Sequence, residues 1–146
     1  MIALVRPGAW NFPLFLHVLG AVVLFGGVFS VAVLSVTALR REQHAFLLRR
    51  LAFTAMLLLV WPAYVVMRAA AQWVLTREGL DDSSPGWVGV GFVVSDAGIV
   101  VLLLLTLLGW LALRRPRAGT ALAGLSVLYV LALGVAWFAM SAKPGA

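Results

Sequence analysis

Four apolar runs, at residues 12–39, 51–75, 87–113 and 121–141, dominate the chain, and each is long enough to cross a bilayer. A hydrocarbon core of about 30 Å needs roughly 20 helical residues at 1.5 Å per residue, and no run falls short of that. The runs are apolar on all sides instead of along one stripe, which excludes a soluble helix bundle. Short connections between them make consecutive helices antiparallel neighbours. The expected fold is therefore all-α: a polytopic membrane protein, a four-transmembrane-helix up-down bundle, with residues 1–146 forming one transmembrane domain.

Composition supports the same solvent. Hydrophobic residues make up 64% of the chain and charged residues 11%, too few polar groups to cover a soluble domain of 146 residues. There is no cysteine, so disulfides, thiol relays, thiolate-bound zinc and iron–sulfur clusters are excluded. The apolar run after Arg6 continues far beyond the length of a signal-peptide core, which argues against a cleaved secretory leader. Heavy arginine usage, with one lysine and few isoleucines, fits a GC-rich bacterial genome. The expected location is the bacterial cytoplasmic (inner) membrane, with the lipid bilayer as the principal partner.

A net charge of +6 and a pI near 11.4 raise the question of nucleic acid. The positions of the charges answer it. Arg40, Arg41, Arg49 and Arg50 separate the first two runs, and Arg114, Arg115 and Arg117 separate the last two. No solvated stretch interleaves basic and aromatic residues, so no nucleic-acid partner is expected. Between the second and third runs Arg77 is offset by Glu78, Asp81 and Asp82, and the termini carry only Arg6 and Lys143. The positive-inside rule then puts both arginine-rich connections in the cytoplasm and both termini outside, N-out/C-out. Asn11 and Pro13 suit a helix start, Gly79 a helix end, and Ser84–Pro85 the cap of the third helix. Trp10, Trp73, Trp87, Trp110 and Trp137 fall near span ends, where indole is favoured. Gly20, Gly26, Gly27, Gly91, Ser95, Gly98 and Gly134 are small residues that allow helices to approach closely.

The polar residues inside the spans carry the functional information. An ionisable group at membrane depth costs about 2.5–3.5 kcal/mol on insertion scales, so it usually meets a partner or a water-filled cavity. Three spans hold one each: His17, Arg68 and Asp96. All three fall in the expected outer half. Tyr64, Arg68 and Gln72 follow at i, i+4 and i+8 and share one face of the second helix, with Trp61 a turn further down. Pro62 frees the carbonyl of Leu58, so a bend is expected there that would widen the outer half. His17, Tyr64, Arg68, Gln72 and Asp96 are thus the candidate ligand- or cofactor-binding residues. The alternative reading makes Arg68–Asp96 an ion pair pinning two helices and His17 a packing residue. Met67 and Met140 lie in the same half, and with His17 they suggest a histidine–methionine haem or a copper(I) site. His44 reads as a solvated loop histidine.

The run Phe15-Leu16-His17-Val18-Leu19-Gly20, followed by Leu24-Phe25-Gly26-Gly27, resembles the opening of a broad group of bacterial integral membrane proteins. That group includes an uncharacterised four-helix family and, more loosely, the membrane domain of copper-resistance protein D. The resemblance covers the first span. It implies a small bundle near metal, haem or quinone chemistry, with His17 as the position carried over. The chain departs from the pattern in having no second membrane histidine, so two-histidine haem ligation requires two copies. No paired-carboxylate site, zinc-protease motif, phosphate loop or nucleophile triad is present. The expected function is binding of a ligand or cofactor, a haem or a quinone head group, in an outer-half polar pocket. The alternatives are an accessory subunit packed against other membrane subunits or a homo-oligomer, and a small proton-coupled transporter using Asp96.

Overall fold

The computed structural model describes residues 11–78 and 86–142, and among these there is no strand. Helix α1 spans Asn11–Arg40, α2 Ala45–Ala55, α3 Trp61–Glu78, α4 Gly86–Ala112 and α5 Pro116–Ala142. A π turn at Met56–Val60 joins α2 to α3, so the two form one crossing, and four helical stretches are long and apolar enough to span a membrane. The protein is an all-α four-helix membrane bundle. Trp10, Gly79, the Ser84–Pro85 cap, the side chain of Trp87 and the surroundings of Gly91 lie outside the described residues.

Helix ends differ from the limits of the apolar runs, for a physical reason. A single turn of 3-10 helix at Glu42–His44 follows Arg41, and α2 begins at Ala45, so Arg49 and Arg50 lie inside a helix. Arginine is a good helix former, and its charge marks head-group level without ending the helix. Arg49 packs its guanidinium on Gly119, where a Cβ would come within 3.0 Å of Nε. Likewise α5 starts at Pro116, before its apolar run, because proline at the first helical position loses no hydrogen bond. Arg114, just past α4, stacks on Trp110 at 4.6 Å.

Where a bend is expected at Pro62, the chain has a π turn just before it, Met56–Val60. Proline contributes no N–H to Leu58, and the backbone N–H of Trp61 reaches back to the Met56 carbonyl, five residues earlier.

The spans close into a ring. α1 packs on α2 and α3 on one side and on α5 on the other, α4 packs on α5, and α2 reaches α4 at the arginine-rich end. Leu24, Val28 and Val31 of α1 meet Met56, Val60, Leu102, Leu105 and Leu122 in the core. The outer surface is apolar, with Leu58 74% and Phe138 72% exposed, a surface suited to lipid and not to water. α1 and α3 touch backbone to backbone: a Cβ on Gly20 would stand 2.7–2.8 Å from Met67 N, Cα and Cβ. One heptad later, a Cβ on Gly27 would stand 2.9 Å from Val60 Cγ2. Gly26 and Gly134 have no such neighbour within 4 Å.

Candidate ligand-binding site

The two flanks of α3 carry different chemistry. Toward α1, the His17 ring places Nδ1 3.2 Å from the Met67 carbonyl oxygen. A carbonyl only accepts, so Nδ1 is the donor in this contact and Nε2 points away from it. The contact with Met67 runs through its backbone, directly above the Gly20 crossing. His17 is half-buried in this seam.

Toward α4, α3 presents a ladder of long polar side chains. Trp61 Nε1 donates to Thr106 Oγ1 at 2.9 Å, and that hydroxyl donates on to the Leu102 carbonyl at 2.7 Å. Tyr64, stacked edge-on against Trp61 at 6.0 Å between centroids, donates its hydroxyl to the Ser95 carbonyl at 3.0 Å. One turn further out, Arg68 Nε and Nη2 both reach Asp96 Oδ1 at 3.1 Å, while Nη1 donates to Gln72 Oε1 at 3.3 Å. The i, i+4, i+8 spacing of Tyr64, Arg68 and Gln72 produces this: residues four apart stand one above another on a helix.

Counted from Leu51 and Ala112, Arg68 and Asp96 lie about 26 and 24 Å along their helices at 1.5 Å per residue. In a core of about 30 Å that puts the pair roughly 5 Å inside its far boundary. Their side chains keep 29% and 59% of their surface open, so the pair is not sealed within the bundle.

The five candidate residues therefore divide. Tyr64, Arg68, Gln72 and Asp96 share the seam between α3 and α4, and His17 occupies the seam between α1 and α3. His17 and Asp96 fall at similar depth, but depth does not fix rotation. Met67 and Arg68 are consecutive, hence about 100° apart around the helix, and face different neighbours.

Protein-family models, curated proteins and solved structures were compared with the chain, and none matches. The site must be read from its own chemistry. Among the described residues no group of three His, Asp or Glu side chains is placed to hold a metal ion. The donor set of the α3–α4 seam is instead a guanidinium, a carboxylate, an amide and a phenol, which suits an uncharged ligand bearing both acceptor and hydroxyl oxygens.

Two participants escaped sequence reading. Thr106 is a lone hydroxyl in an apolar run, and nothing local signals that an indole will reach it. Tyr129 of α5 is 4% exposed and approaches the same turn of α4 as Tyr64. Its signal was compositional: the chain has two tyrosines, and both lie inside spans.

Proposed function

We propose that this is a small bacterial inner-membrane protein, inserted with both termini outside, that binds the polar head group of a quinone-type ligand against the outer half of the α3–α4 seam. The observation that carries the reading is the partly open Arg68–Asp96 pair, set between two helices long and apolar enough to span a membrane. A carboxylate left this open beside a guanidinium, between two spanning helices, is within reach of a polar group arriving from outside the bundle. A head group docked there offers the Asp96 carboxylate a hydroxyl to accept from, with the Arg68 guanidinium beside it as a fixed positive charge. Trp61 and Tyr64 supply flat apolar surface beside it. An amphiphile reaches this seam laterally from the bilayer.

The test is to extract detergent-purified protein with organic solvent, assay the extract for quinone, and titrate the protein with decyl-ubiquinone. Retained quinone and saturable binding support the reading; an empty extract with no saturable binding contradicts it, leaving a partner subunit as the occupant of the open pair. A second reading is favoured by one observation: the Nδ1–H of His17 is held by a carbonyl, the usual second bond of a ligating imidazole, which leaves Nε2 for a haem iron. A Soret band in the purified protein, lost on His17→Ala, supports that reading.

A further inference from the structure

Both tyrosines of the chain reach one turn of α4. Tyr64 donates to the Ser95 carbonyl from α3, and Tyr129 lays its hydroxyl against Gly98 from α5. A Cβ on Gly98 would overlap that oxygen, so the glycine is what admits it. The Tyr129 hydroxyl is buried without a hydrogen-bond partner among the described residues, and so is Ser95 Oγ three residues before Gly98. Phenylalanine at 129 would fill the ring's space with no polar group to satisfy. Two unmet buried hydroxyls approaching one turn of a helix carry a penalty that a single oxygen placed between them would remove.

We propose that Tyr129 and Ser95 close on one buried acceptor oxygen, forming the floor of a site whose mouth is Arg68 and Asp96. The oxygen belongs either to a fixed water or to a carbonyl of the bound head group; the second source rests on the quinone reading above, and the first does not. The bonding inventory fits either. Tyr64, having donated its proton to Ser95, keeps phenolic lone pairs. A water that accepts from Tyr129 and Ser95 can donate to Tyr64, reaching the three bonds typical of buried water.

Because the chain has two tyrosines, the difference between the infrared spectra of ring-labelled wild type and ring-labelled Tyr129→Phe isolates Tyr129 with Tyr64 left in place. The expected C–O band is that of a hydroxyl donating a hydrogen bond; a free-hydroxyl band overturns the proposal. Thermal unfolding of Ser95→Ala, Tyr129→Phe and the double variant is the second measurement. Partners of one oxygen give a double-variant loss in Tm clearly smaller than the sum of the single losses, and strict additivity overturns the proposal. Adding decyl-ubiquinone separates the sources. A shifted Tyr129 band, with binding about fivefold weaker in Tyr129→Phe, assigns the oxygen to the ligand, fivefold being the worth of one neutral hydrogen bond. An unshifted band with unchanged affinity assigns it to water. If the protein binds no quinone at all, the head-group reading falls, while the buried oxygen is still decided by the infrared band and the unfolding series.

Discussion

The two seams of α3 are built on opposite principles. Against α1, Gly20 and Gly27 strip away side chains until backbone meets backbone, and the lone polar group, His17, bonds to the helix itself. Against α4, indole, phenol and guanidinium reach across and end on a hydroxyl, a carbonyl and a carboxylate. Contact through backbone has no slack, because a packed helix cannot yield a few tenths of an ångström without disturbing its whole length. Contact through long side chains can re-form around a guest. The difference separates a flank fixed by backbone contact from one whose side chains can rearrange, and the second is the one proposed to receive a ligand.

The sharpest experiment on this contrast concerns which end of it faces out, and its effect is all or none. Thr76 and Gln43 lie exposed at opposite ends of the second crossing. Thr76→Cys is expected to react with an impermeant maleimide in intact cells, and Gln43→Cys only after permeabilisation; the reverse pattern would put the polar ladder in the cytoplasmic half. Next in size is the backbone contact. Gly20→Leu drives a side chain into the Met67 backbone and is expected to cost about 3 kcal/mol or more of unfolding free energy in detergent. Gly26→Leu, with nothing within 4 Å of its Cβ position, is expected to stay within about 0.5 kcal/mol. Equal losses would dissolve the distinction between the seams.

Effects on the polar side are smaller. Arg68→Leu or Asp96→Leu alone removes the opposite charge from its partner, and since both side chains are partly open the expected loss is about 1–2 kcal/mol each. The double variant is expected to lose less than the sum, and additive losses would mean that the pair does not form in detergent. Smallest is Thr106→Val, which leaves the Trp61 indole N–H unmet; interhelical hydrogen bonds of this kind average about 0.6 kcal/mol.

Span number and the all-α class were legible because hydropathy summed over some 20 residues outweighs any local detail. Helix ends were less so. Arg49 and Arg50 lie in the interfacial helical segment expected between the first two runs and continue unbroken into the second crossing, and Pro116 opens α5 because an apolar run and a helix need not start together. In the candidate site, the shared face of Tyr64, Arg68 and Gln72 follows from spacing alone. The partner Asp96 followed from electrostatics, being the single carboxylate inside a span. His17 was grouped with them by depth, and rotation about α1 separates it, a quantity fixed by the Gly20 crossing that a single sequence does not carry. Tyr129 went unnoticed because its cue, the missing Cβ of Gly98, lies on another helix.

The central claim is that the α3–α4 seam, and not the His17 seam, receives the ligand. Decyl-ubiquinone affinity, measured on wild type, on Arg68→Gln combined with Asp96→Asn, and on His17→Ala, tests it directly. The paired substitution keeps the site neutral, so folding is preserved while charge-assisted bonds to the head group are lost. Affinity is expected to fall at least about tenfold in the paired variant, one charged hydrogen bond being worth about 1.5–3 kcal/mol, and to change less than about twofold in His17→Ala. Unchanged binding in the paired variant, or a larger loss in His17→Ala, would contradict the account.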